Sequence, residues 1–187
     1  MSASTSLADH FLIAMPALAD PNFARGVTLI CQHDQGGAMG LTINRPSDFT
    51  FGDVFEQMDL VTDVQGLAGR PVLLGGPVQP DRGFVLHDDP REWGSTLRFG
   101  HGLAVSTSRD ILEALARGDG PARCLLALGY AGWTAGQLEQ ELGENAWLTV
   151  PASQAIIFDT PLESRWSAAA RSLGVDLSLL SDGAGHA

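Results

Sequence analysis

Short apolar runs, each closed by glycine, proline or polar residues, set the rhythm of this chain. Those at 11–14, 27–31, 38–43, 72–74, 84–87, 103–106, 124–128 and 156–158 have the length and the β-branched and aromatic content of strands. Between the second and third, Gln32-His33-Asp34-Gln35-Gly36-Gly37 is polar and carries two glycines, which predicts an antiparallel hairpin. Four helices follow from end chemistry. Phe51, Val54, Phe55 and Met58 recur at helical spacing behind a capping Thr50. Thr107-Ser108-Arg109-Asp110 opens a second helix, with an apolar stripe of Ile111, Leu112 and Leu115 and a left-handed stop at Gly118. Thr160-Pro161-Leu162-Glu163 combines a cap, proline at the first helical position and a back-reaching glutamate, with Gly174 at the far end.

The remaining helix belongs to Gly129-Tyr130-Ala131-Gly132-Trp133-Thr134-Ala135-Gly136-Gln137-Leu138, where glycines and aromatics crowd together. Thr134 as N-cap and Gln137 make a capping box, Trp133 staples onto Leu138, and Gly143 supplies the stop. Gly129 and Gly132 then let a strand ending near Leu128 bend into the helix. Local structure leaves Tyr130 and the outer face of Trp133 without an assigned purpose.

Strands outnumber helices, so the fold class is mixed α/β, of the α+β kind. With 187 residues and 44% hydrophobic content the chain can bury one substantial core. We expect one domain over 9–177, flanked by unstructured ends at 1–8 and 178–187. The first apolar run stops at Pro16 with no basic residue before it, so neither a secretory leader nor a membrane span is expected, and the protein reads as cytoplasmic.

The formal charge is -11, and all eleven basic residues are arginine. The acidic balance weighs against direct nucleic-acid binding. The absence of lysine removes Schiff-base and phosphate-loop mechanisms. Cys31 and Cys124 lie in separate apolar runs and read as buried free thiols, and Cys31 with His33 makes only two ligands, so no metal site is expected. No cofactor is implied.

Candidate ligand- or partner-binding residues come from strand ends and glycine turns. Asn44 and Arg45 end a strand, where an amide and a guanidinium could grip an anion or hold carbonyls of a neighbouring loop. Gly75 and Gly76 permit either a tight turn or close backbone approach to a ligand. His87 ends an apolar run, as a titrating group or a hydrogen-bonded one. Tyr130, Gly132 and Trp133 complete the set. Hydrolase and zinc-protease motifs do not occur.

Taken in order, Phe11-Leu12-Ile13-Ala14-Met15-Pro16, Asp20-Pro21-Asn22-Phe23, Gly37 to Pro46, Gly75-Gly76-Pro77-Val78 and the segment from Gly129 resemble the bacterial YqgE/AlgH family over about residues 9 to 176, with Trp147 and Phe158-Asp159-Thr160-Pro161 extending the match. The resemblance implies a mixed α/β fold with strongly twisted, largely antiparallel sheets in a cytosolic protein of unassigned activity. One branch of that family carries a transcriptional-regulator label, and the acidic balance here makes an indirect role the fitting one. Three readings stand, in this order: a noncatalytic module binding a protein partner or small ligand, an enzyme acting on a small anionic or nucleotide-like substrate, and a DNA-binding transcriptional regulator.

Overall fold

The computed structural model describes residues 6–14 and 25–174. The expectations at Met15-Pro16, at Asp20-Pro21-Asn22-Phe23 and for both chain ends lie outside the described residues or run into them.

Ten strands form the frame: His10–Ala14 (β1), Val27–Asp34 (β2), Gly37–Thr42 (β3), Pro46–Thr50 (β4), Pro71–Leu74 (β5), Val78–His87 (β6), Thr96–Phe99 (β7), Leu103–Ser106 (β8), Cys124–Thr134 (β9) and Trp147–Pro151 (β10). They line up as β10-β1-β2-β3-β9-β6-β8-β7, with β4 and β5 branching from β9. Every pairing is antiparallel except β5 with β9, where Leu73 faces Ala127. The sheet curls until β7 returns against β2, giving a half-barrel.

The hairpin of β2 and β3 forms as expected, but its strands run further than the apolar pattern suggests, pairing out to Asp34 and Gly37. Likewise β9 does not stop at Leu128. It bends at Gly129, whose φ of 76 only glycine adopts cheaply, and continues to Thr134 because β3 offers a ladder from Gly40 to Gly37. Its first half lies between β5 and β6, and its second half takes β3. The sharp strand-to-helix corner is thus a kinked long strand.

Phe51–Gln57 (α1) carries the full capping box, Thr50 accepting from the Asp53 amide while the Asp53 carboxylate accepts from the Thr50 amide. Arg109–Arg117 (α2) ends on left-handed Gly118 as its sequence requires. Both pack on the outer face of the sheet, where Phe51, Phe55, Ile111 and Leu115 meet Val72, Val85 and Leu126. Burying each of these large side chains contributes about 1.5–3 kcal/mol.

In Gln137–Gly143 (α3) the cap is Gly136 rather than Thr134, since Thr134 is already committed to the β9 ladder. Half of the predicted box survives, with Gln137 Oε1 accepting from the Thr134 amide at 3.0 Å. Trp133 and Leu138 share a core layer beneath α3 with Leu12, Ile30 and Trp147.

The run at 156–158 is not a strand. Ala155–Asp159 is a π-helical turn whose Ile156 and Ile157 help close the half-barrel, together with Ala169 and Ala170 of Arg165–Arg171 (α4). The Thr160 hydroxyl donates to Ala155 O instead of capping, and a 3-10 turn at Leu162–Ser164 leads into α4. Cys31 and Cys124 are free and buried, and burial pushes both thiols up, so they stay protonated near neutral pH. Among the described residues no third ligand joins Cys31 and His33. No helix among them is long and apolar enough to cross a membrane.

Candidate functional site

Where the half-barrel opens, a cleft of about 790 Å3 lies between the tip of the β2–β3 hairpin, the end of β9, the start of β6 and the β7–β8 pair. Alternation along β9 builds one wall. Tyr130, Gly132 and Thr134 turn toward the cleft, while Ala131 and Trp133 are buried in the layer under α3. The floor is apolar, from Met39, Phe84, Leu97, Val105 and Tyr130. Phe84 meets Tyr130 edge to face at 5.6 Å between ring centroids.

The rim is polar. β6 begins with an irregular stretch between Val78 and Gly83, where Gln79 holds a left-handed φ of 49 at a cost of about 1–2 kcal/mol. That stretch sets Arg82 above the floor, its guanidinium 5.9 Å from the Phe84 ring centroid. Arg82 donates to Thr107 Oγ1 at 3.2 Å and to Gln79 Oε1 at 3.4 Å, and it is exposed. Among the described residues it pairs with no carboxylate. The Thr107 hydroxyl donates in turn to Ser95 Oγ. Asp34 stands on the opposite rim, turned in part toward the Gly36 amide.

The sequence-derived candidates divide between this cleft and the framework. Tyr130, Gly132 and Trp133 line it, although Trp133 gives its indole to the interior, where the ring N–H donates to Glu141. Asn44, Arg45, Gly75, Gly76 and His87 do not line it. Asn44 takes the second of its two anticipated roles, accepting from the Val27 amide at 2.8 Å and donating to Arg25 O at 3.0 Å. The Arg45 carbonyl accepts from the Leu74 amide. Gly75 and Gly76 do allow a close approach, but of backbone to backbone: Gly75 bridges β3 and β9 through Thr42 and Leu128.

His87 lies wholly inside, on the face toward α2. Its Nδ1 accepts from the Asp89 amide, so Nε2 carries the proton and donates to Ser106 Oγ at 2.9 Å. Ser106 is also fully buried and bonds Thr96 Oγ1. A histidine donating to a serine cannot take that serine's proton, so the pair does not form a nucleophile and base. Burial pushes the His87 pKa down, against the nearby Asp89 carboxylate, which pushes it up.

From the sequence, Met39 and Phe84 read only as strand residues and Thr107 only as the opening of a helix, and neither Arg82 nor Leu97 stood out. The signal that could have found them is the alternation of β9 beyond Gly129, which sets Tyr130 opposite Val78 and Gly132 opposite Met39.

Known proteins share this architecture. The family model described as AlgH-like (DUF179) matches residues 11–178. A UPF0301 protein of Stenotrophomonas maltophilia is 59% identical over 182 residues, covering 97% of each chain. A UPF0301 protein of Xanthomonas campestris pv. campestris is 59% identical over 183 residues, covering 98% of this chain and 97% of its own. The solution structure of the AlgH protein from Pseudomonas aeruginosa superposes with a TM-score of 0.81 at 55% identity, over 97% of this chain and 96% of that one. A crystal structure from Corynebacterium diphtheriae, 23% identical with a TM-score of 0.74, shares the fold. The matched length, the identities and the half-barrel agree, and this chain belongs to the AlgH-like family.

Proposed function

We propose that this chain is a noncatalytic cytoplasmic binding module, which takes a small ligand or a short segment of a partner protein in the mouth of its half-barrel. Any effect on gene expression would then be indirect, through that occupancy. One observation carries the reading: an exposed arginine with only neutral acceptors among the described residues stands over an apolar, partly aromatic floor in a preformed cleft. An apolar pocket with a few convergent polar groups is the usual design of a ligand site. The net charge of -11 and the absence of lysine support a partner other than nucleic acid.

Two of the features behind the enzyme reading serve the framework instead: β9 backbone packs against Gly75 and Gly76, and His87 is sealed in the interior. The test uses Gly132, where a Cβ would meet nothing closer than 3.4 Å and no unusual φ forbids a side chain. Gly132→Leu fills the cleft while keeping the fold. A thermal-shift screen of amino acids, carboxylic acids and nucleotides should give hits with the wild type that Gly132→Leu abolishes. Equal hits in both proteins would overturn the assignment to the mouth.

A further inference from the structure

Resting on the mouth cleft as the binding site, we infer that its ligand is a small monocarboxylate with an aromatic or branched apolar body. The carboxylate is set by Arg82. A guanidinium offers five donors in a planar fork that matches two carboxylate oxygens, and here, among the described residues, two of its nitrogens spend hydrogen bonds only on the neutral oxygens of Thr107 and Gln79. Thr107 and Ser95 form a hydroxyl pair beside it, and rotation of either hydroxyl presents a further donor to the same anion.

The apolar body is set by what lies below. Phe84 sits beneath the guanidinium and meets Tyr130 edge to face, with Met39 and Leu97 completing the floor. An anion held at Arg82 therefore directs whatever it is attached to onto apolar carbon. The Tyr130 hydroxyl makes no hydrogen bond among the described residues, leaving one polar contact at the floor for a ligand substituent.

Charge separates a monocarboxylate from a phosphate. Among the described residues Arg82 is the one cation on the lining, and Asp34 also lines it, so their formal charges cancel; a second negative charge on the ligand is opposed by Asp34 and, at longer range, by the chain's -11.

The experiment titrates the full chain with 3-phenylpropionate, its neutral amide 3-phenylpropanamide, and phenyl phosphate, followed by two-dimensional amide NMR. The acid should shift Arg82, Leu97, Thr107 and Tyr130, bind about tenfold more tightly than the amide, and bind more tightly than the phosphate. Arg82→Gln, at an exposed position, should remove the preference for acid over amide while leaving the amide affinity unchanged. Equal binding of acid and amide at the mouth, a preference for the phosphate, or discrimination that persists in Arg82→Gln would overturn the ligand class while leaving the cleft as a binding site. Shifts confined to other surfaces, or none with any of the three probes, would overturn the ligand class as well. A loss of the Gly132→Leu effect in the library screen would overturn the cleft itself.

Discussion

Gly76 presses so closely on Tyr130 that a Cβ at position 76 would lie 2.1 Å from the Tyr130 carbonyl carbon. No side-chain rearrangement relieves that contact, because the obstacle is β9 backbone. Gly76→Ala should therefore cost about 3 kcal/mol, at the upper end of the usual overpacking penalty. Gly132→Ala, two residues along β9 from Tyr130, should change stability by less than about 0.5 kcal/mol, since its added carbon enters open cleft. Urea denaturation of the two variants checks the contrast, and similar midpoints would refute it.

Glu141 supplies a second test. Its Oε1 accepts from both the Trp133 and Trp147 indoles at 2.9 Å, and Oε2 accepts from Gln137. The carboxylate thus joins α3 to β9 and β10. Glu141→Ala should lower stability by about 2–3 kcal/mol, because hydrogen bonds to a charged acceptor are lost from two largely buried indoles. Glu141→Gln keeps an acceptor oxygen and should recover part of that loss. Indole N–H resonances of the two tryptophans should move in both variants.

His87 predicts the direction of a pH dependence. Its folded pKa lies below the ordinary 6.5, so the unfolded chain holds the proton more readily than the folded one. The contribution is complete above about pH 6.5 and is lost as the pH falls from there through the depressed folded value. Denaturant midpoints measured at about pH 7.5 and about pH 5 should decline for the wild type, and His87→Asn should flatten that part of the decline. A slope equal to wild type in the variant would show that other groups carry it.

What the sequence disclosed about this fold was local. The Thr50 cap, the Gly118 stop and the β2–β3 turn each depend on residues within a few positions of one another, and each forms. Three strands escaped notice for a physical reason. β4, β7 and β10 each pair with a single neighbour in the sheet, and β4 and β7 carry Asp48 and Arg98 in place of a continuous apolar face. At 156–158 a short apolar run reads equally as strand or buried helix, and the π-helical turn shows which one packing selected. The site was visible only in part, through Tyr130, Gly132 and Trp133. Its floor and its cation are assembled by pairings between distant strands, Gly132 with Met39 and Tyr130 with Val78, which no local pattern announces. Asn44 looked like a ligand group for the same reason, since its true partners are the backbone of Arg25 and Val27.

The most direct test of the account maps where small molecules bind. Amide NMR of the wild type against a fragment mixture should give shifts concentrated on Met39, Phe84, Leu97, Thr107 and Tyr130, and these should disappear in Gly132→Leu with the remaining spectrum intact. Shifts that gather instead around Asn44 and Gly76, or that persist at full size in Gly132→Leu, would contradict a binding site in the mouth of the half-barrel.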